Sequence, residues 1–316
     1  MNSKQESTGE GTASPELLAL VQSQIDQNGG CIGFDRYMQT VLYTPGLGYY
    51  AGGLPKFGSS GDFITAPEMG ELFGQCLARQ AAEILDTLGG GSILEFGAGS
   101  GALAATILNQ LASMDCLPDE YLILELGGDL RARQQETIRA RAPALLSRVR
   151  WLDRLPEGLQ GLVLANEVLD AMPVKVFEMD RQATIWELGV ARDPGEEGAF
   201  CWERCKPGPD LHASVRALDI QLDADCYRSE ISFQGQAWVQ SLERVLDRGL
   251  VLLVDYGFRR QEYYHPDRSQ GTLMCHYRHR AHDDPFFLPG MQDITAHVDF
   301  SAIAAAARES GFEVAG

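Results

Sequence analysis

Residues 93–101 read Ile-Leu-Glu-Phe-Gly-Ala-Gly-Ser-Gly and run straight into a helical stretch, Ala102 to Leu111. An apolar strand delivers an acidic residue, Glu95, to a turn with glycine at alternate positions, and a helix opens at once. Glycine serves where backbone must turn tightly or approach a ligand with no Cβ in between. A helix N-terminus adds unpaired N–H groups at the same point. This strand–turn–helix unit belongs in an α/β fold with a parallel sheet, and the middle of the chain keeps its rhythm. Apolar strands are expected over 92–96, 120–126, 148–152, 161–165 and 249–256. Helices are expected over 101–113, 130–141 and 236–247, which makes a sheet covered by helices on its faces.

The flanks differ. Ser14-Pro15 is a helix start, with a small polar cap and proline in the first turn, and that helix should stop at Asn28-Gly29-Gly30. A second helix is expected over 34–42. A third runs from Pro67 toward Leu88 and ends at Gly89-Gly90-Gly91. Residues 1–14 read as a disordered tail, 15–90 as an N-terminal helical cap and 91–316 as the Rossmann-like core. Residues 174–235 break the core's rhythm with β-like stretches and acidic turns, and read as a β-rich insertion. A loop of some forty residues after Tyr256 is too long for a plain connector. A helix over 301–309 follows, then the beginning of a strand at 312–314, so the final strands of the sheet read as missing.

The net charge of −18 argues against nucleic acid, which calls for a basic patch, and suits a cationic protein substrate or plain solubility. No apolar run reaches the ~18 residues of a membrane-spanning helix. The polar N-terminus has the pattern of neither a signal nor a transit peptide, and a cytoplasmic location is the expectation. Seven cysteines, with Cys201 and Cys205 the one close pair, suit free thiols in a reducing compartment.

A dinucleotide fingerprint is G-x-G-x-x-G. Here Gly97, Gly99 and Gly101 make G-x-G-x-G with Glu95 two residues ahead. This looks like the first motif of Rossmann-like methyltransferases, whose ligand is S-adenosyl-L-methionine. Glu95, Gly97, Ala98, Gly99 and Gly101 are the candidates around the amino-acid end of that cofactor. Glu125, at the end of the second strand, is placed to accept the ribose hydroxyls, or else to cap a helix. Trp151 or Asp153 would flank the adenine. The fourth strand ends in Asn166-Glu167-Val168-Leu169-Asp170. Ligands bind beyond the carboxyl ends of such strands, so Asn166, Glu167 and Asp170 are the candidate catalytic residues. Two carboxylates there suit a guanidinium held by bidentate hydrogen bonds; the alternative is Asp170 as a helix cap. Cys275, His276, His279, His282, Asp293, His297 and Asp299 crowd the long loop. Their spacing matches no zinc pattern, no metal is assigned, and Asp299 reads as the N-cap of the last helix.

The chain resembles the MidA-like family of class I methyltransferases. The matching segments span nearly its whole length: Tyr37-Met38, Gly48-Tyr49-Tyr50, Gly61-Asp62-Phe63-Ile64-Thr65-Ala66-Pro67-Glu68, Leu94 to Gly101, Ala165 to Pro173, Asp255-Tyr256-Gly257, Gly271-Thr272-Leu273 and Gln292 to Phe300. The resemblance implies a protein substrate methylated on arginine, with mitochondrial members that support assembly of respiratory complex I. It also implies that residues 61–68 fold over the cofactor cleft, where Asp62 and Thr65 would bond the cofactor or cap the next helix. One departure is Glu125-Leu126-Gly127-Gly128, where the family tends to have a serine after the acid. The alternatives are a small-molecule methyltransferase, an assembly factor with this fold and little turnover, and a nicotinamide-dependent enzyme, which the glycine spacing disfavours.

Overall fold

The computed structural model describes residues 12–52, 69–220 and 225–315. Helix α1 (Pro15–Gln27) leads through β1 (Ile32–Gly33) into α2 (Phe34–Tyr43); α3 (Glu71–Leu88) follows. The α1 cap is as expected: Ser14 accepts from the Leu17 N–H, and Pro15 occupies the first turn. Gly89 ends α3 in the left-handed conformation, φ 75°.

The core then alternates β2 (Ser92–Phe96), α4 (Ala102–Ser113), β3 (Tyr121–Leu124), α5 (Gly128–Arg141), β4 (Val149–Leu152) and β5 (Leu159–Asn166). Next come β6 (Lys175–Asp180), β7 (Ile185–Arg192), β8 (Phe200–Cys205), α6 (Pro209–Ala217), β9 (Cys226–Ile231), α7 (Phe233–Ser241) and β10 (Leu246–Val254). The tail holds β11 (Gly257–Phe258), α8 (Arg260–Tyr263), β12 (Met274–Tyr277), β13 (Arg280–His282), β14 (Asp293–Thr295), β15 (Val298–Asp299) and α9 (Phe300–Glu309).

The central sheet has the order β10-β5-β2-β3-β4, all parallel. Side chains alternate between its faces, and both faces are buried, as parallel sheets require. Ile93, Tyr121, Ile123, Leu162 and Leu164 pack with α3, α4 and α5. Leu94, Phe96, Leu122, Val163 and Ala165 pack against Trp238, Leu242 and Val245. Chain order reverses between β2 and β5, where Phe96 pairs with Ala165. The Gly97 loop and the segment after Asn166 therefore emerge side by side at the switch point. On the far side Val254 pairs with Asn166, which brings Asp255 in beside Glu167.

A second sheet, β1-β7-β6-β9 with β8 on β7, is antiparallel throughout. Its strands β6, β7 and β8 are the β-rich stretches anticipated from sequence; α6 and β9 were not. The described residues of 15–90, grouped by sequence as one cap, divide between the two layers. Phe34, Tyr37, Met38 and Val41 share a core with Val176, Val190 and Phe200, whereas Leu77, Ala78 and Ala81 of α3 join the central sheet.

Three further differences have local causes. The helix expected over 236–247 ends at Ser241, because a 3₁₀ turn at Leu242–Arg244 buries Leu242 and Val245 and β10 begins at Leu246. The forty-residue loop contains a three-stranded sheet, β13-β12-β14, and the parallel pair β11–β15. Residues 312–315 form no strand; Phe312 packs under the central sheet instead.

Candidate active site

Gly97, Gly99 and Gly101 all have positive φ: 64°, 51° and 83°. A Cβ on Gly101 would lie 3.0 Å from the Gln134 Cα, and one on Gly97 would lie 2.7 Å from a Val168 methyl. The loop thus needs glycine for its left-handed backbone and for its close approach to Gln134 and Val168, and α4 opens from it with Ser100 Oγ accepting from the Ala102 N–H. Glu95 lies beneath, 1% exposed, its Oε2 accepting from the Tyr121 hydroxyl at 2.8 Å. Burial pushes its carboxyl up from 4.5 to about 7, against the pull of that hydrogen bond.

Glu125 follows β3 directly. Its Oε1 accepts from the Gly127 N–H at 2.8 Å and its Oε2 from the Gln134 amide at 3.1 Å. The Leu126-Gly127-Gly128 departure therefore keeps the carboxylate in place through a backbone bond. Gln134 is fully buried and also donates to the Gly99 carbonyl at 3.2 Å while accepting from Trp151 Nε1 at 2.9 Å. One amide ties the glycine loop, Glu125 and β4 together, and sequence reasoning missed it. The available signal was spacing: Gln134 and Ile138, one turn apart, are the buried residues of α5. Trp151 and Asp153 do not flank the cavity. Trp151 is engaged by Gln134, and Asp153 pairs with Arg131 at 2.6 Å in solvent.

The Asn166–Asp170 segment forms a turn, with no helix after it for Asp170 to cap. Glu167 has φ 51° and donates its N–H to the Val254 carbonyl at 2.9 Å. Burial, then the Asp255 and Asp293 charges, push its carboxyl up to about 7, opposed by a hydrogen bond from Asn166. Asp170 is held well above the usual carboxylate range by burial, with Asp255, Asp293 and Glu167 adding repulsion. Asp293 is buried and accepts from the Tyr50 hydroxyl at 2.6 Å; the Tyr43 hydroxyl donates to the Ala171 carbonyl at 2.8 Å. Asp255 and Asp293 entered the sequence reading through motif resemblance and the loop's ligand-type residues, with no site role.

The glycine loop, Glu95, Glu125 and the acids after β5 line one cavity of about 980 Å³, at the upper end of ligand-site sizes. Glu95, the Gly97–Ser100 loop and Glu125 lie on its wall with Asn166, Glu167, Asp170 and Asp293. Among the described residues its wall holds five carboxylates and no lysine or arginine. The glycine cradle and a carboxylate at the end of β3 fit the amino-acid and ribose parts of an S-adenosyl cofactor, and an anionic wall fits its sulfonium. Asp62 and Thr65 lie outside the described residues.

The long loop's other ligand-type residues disperse. His276 and His297 reach the cavity, and His279 sits exposed at a hairpin tip. Asp299 caps α9, accepting from the Ser301 and Ala302 N–H groups. Among the described residues no three His, Cys, Asp or Glu side chains are grouped to hold a metal. Cys205 meets Cys31 rather than Cys201, with sulfurs 2.6 Å apart. Among the described residues no helix is long and apolar enough to cross a membrane.

Residues 76–316 match the family described as "Putative S-adenosyl-L-methionine-dependent methyltransferase". The chain belongs to the MidA-like methyltransferase family. The methyltransferase is 47% identical, with a TM-score of 0.89, to a superfamily member from Burkholderia thailandensis solved in crystals bound to S-adenosyl-homocysteine; the match covers 96% of this chain and 80% of that one. It is 28% identical to the mitochondrial protein arginine methyltransferase NDUFAF7 homolog of Drosophila melanogaster, over 96% of this chain and 71% of the relative. Identity to human NDUFAF7, likewise named a mitochondrial protein arginine methyltransferase, is 28%, over 86% of this chain and 64% of the relative. The methyltransferase uses S-adenosyl-L-methionine, as its family description states.

Proposed function

We propose that this methyltransferase modifies an arginine side chain of a protein. The observation that carries the reading is the cavity wall: five carboxylates with no lysine or arginine among the described residues, a surface short of a cation. The naming of the NDUFAF7 relatives supports the same acceptor. The exposed apolar rim, with Leu126 77% and Tyr256 60% accessible, favours a polypeptide over a free small molecule.

Bound S-adenosyl-L-methionine supplies an electrophilic methyl on a sulfonium. In the proposed arrangement the backbone at Gly97, Ala98, Gly99 and Gly101, with Glu95 beneath, borders the amino-acid end, and Glu125 accepts from the ribose hydroxyls. Glu167 and Asp170 accept N–H bonds from the guanidinium, with Asn166 bonded to Glu167. Alignment of the attacking nitrogen with the methyl is the main demand on the protein. Forming the new N–C bond would break the S–CH3 bond and leave the neutral thioether S-adenosyl-homocysteine; the nitrogen then loses one proton, and Glu167, raised to about 7, is suited to take it at neutral pH.

The test is mass spectrometry of proteins from wild-type and deletion strains, followed by transfer with the purified enzyme. The expected result is an arginine peptide heavier by one methyl group in the wild type alone, restored by wild-type enzyme and not by Glu167→Gln. Methylation confined to another residue type, or unchanged by Glu167→Gln, overturns the reading.

A further inference from the structure

The turn that carries Glu167 and Asp170 is built around a side chain from another strand. Asp255 follows β10, the neighbour of β5. Its Oδ2 accepts from three successive backbone N–H groups, Val168 at 3.1 Å, Leu169 at 2.9 Å and Asp170 at 3.3 Å. Its Oδ1 accepts from the Tyr256 N–H at 2.8 Å. Successive N–H groups converging on one point form an anion-binding concavity, and the chain fills it with its own carboxylate. The concavity begins one residue after Glu167, whose left-handed backbone, φ 51°, is rare for a residue with a side chain. A conformation of that kind persists where the surroundings over-determine it.

Both Asp255 oxygens are committed to backbone, and Asp255 is absent from the cavity wall. We propose that Asp255 is the positioning residue of the acceptor site: it fixes the turn that aims Glu167 and Asp170 into the cavity without itself touching the acceptor. This rests on the reading of Glu167 and Asp170 as the acceptor carboxylates. The same group also works through its charge. It adds repulsion at Glu167 and Asp170 on the turn and at Tyr256 beside it; Asp293 on β14 acts on the same two carboxyls, and Tyr43 and Tyr50 face Asp170 and Asp293. The Asp255 charge adds to burial in keeping Glu167 and Asp170 protonated at higher pH.

The test uses the full chain with S-adenosyl-homocysteine as the binding probe and needs no methyl acceptor, so failure of arginine methylation would leave it intact. Carbon-13 NMR of carboxyl-labelled glutamate should show two groups titrating near pH 7, assigned by loss in Glu95→Gln and Glu167→Gln. In Asp255→Asn the Glu167 midpoint should fall by about one pH unit, while Glu95 stays and the S-adenosyl-homocysteine Kd changes less than about threefold. Amide exchange at Val168, Leu169 and Asp170 should quicken at least about tenfold, with the amides of β5 unchanged. Should Asp255→Asn not fold, Asp255→Glu keeps the charge but displaces it by one methylene. It should loosen the three amides and leave Glu167 titrating high. A folded variant of either kind with unchanged amide exchange, or an Asp255→Asn protein with Glu167 unmoved, overturns the proposal.

Discussion

Replacing Glu95 by glutamine should make the protein more stable relative to wild type at pH 8 than at pH 5.5. Glu95 is 1% exposed beneath the glycine loop, and burial raises its carboxyl from 4.5 to about 7. Between those values the unfolded chain has released this proton and the folded chain keeps it. The folded state therefore loses stability as pH rises through the window, and above pH 7 the whole difference is in force, about 3 kcal/mol. About 2 kcal/mol of it falls between pH 5.5 and 8. Glutamine has the same shape and no charge at any pH, and its amide oxygen can still accept from Tyr121. Its extra N–H costs about 1–3 kcal/mol if unpartnered, but equally at both pH values. The assay is urea unfolding of both proteins at the two pH values, read as the stability difference between them. That difference should move by about 2 kcal/mol in favour of Glu95→Gln at the higher pH. Two parallel pH dependences would refute the claim that Glu95 is a buried acid. Tyr121→Phe supplies the converse: with the hydrogen bond gone, Glu95 is pushed further up, and the variant's loss of stability with pH should extend to higher pH and reach a larger total than in wild type.

The cofactor cradle offers a second perturbation. Gly101→Ala places a Cβ 3.0 Å from the Gln134 Cα at φ 83°, which should cost about 1–3 kcal/mol in chemical denaturation and weaken S-adenosyl-homocysteine binding in calorimetry. Glu125→Ala removes a charged acceptor worth about 1.5–3 kcal/mol, so the Kd for S-adenosyl-homocysteine should rise about 10- to 100-fold. The kcat/KM for methyl transfer should climb with pH across about 7, because it reports the free enzyme, in which Glu167 must ionise to hold a cation. A kcat/KM that stays flat from pH 6 to 8 would contradict that assignment.

The fold was legible because its evidence is local. The glycine spacing, the apolar runs of β2, β3 and β5, and the helix between Gly101 and Ser113 each show in a few adjacent residues. The place of Glu167 and Asp170 on the cavity wall was legible for the same reason, since the carboxyl end of β5 is a known address for ligands. The groups that hold the site together are a different matter. Gln134 bonds Gly99 across 35 positions, Asp255 bonds the Leu169 N–H across 86, and Tyr50 bonds Asp293 across 243. No periodicity links such pairs; they meet because elements adjacent in the fold are distant in the chain. The division of residues 15–90 escaped for a related reason. α1 and α2 look like any amphipathic pair, and only β1, two residues long, reveals that they attach to the insertion sheet through β7.

The concentration of acids at the cavity has a physical rationale once the proposed acceptor is considered beside the cofactor. A sulfonium and a guanidinium are both cations, and transfer requires them in contact. At about 4 Å and an effective dielectric near 20, two unit charges repel by about 4 kcal/mol. That is enough to empty a site that relied on shape alone. Glu167 and Asp170, backed by Asp255 and Asp293, supply the opposite charge; without a cation, burial first and their mutual repulsion second raise Glu167 to about 7 and hold Asp170 well above its usual range. Each cation that enters relieves that repulsion and draws the carboxyls back toward ionisation. Cofactor and acceptor should therefore bind with positive coupling despite carrying like charges, and binding should release protons at pH 6.5. Calorimetry of S-adenosyl-L-methionine in buffers of different ionisation enthalpy measures that release directly. The neutral thioether product, S-adenosyl-homocysteine, should release fewer protons. Equal release for the two ligands would show that the acids do not sense the sulfonium, and the electrostatic account of the site would fall with it.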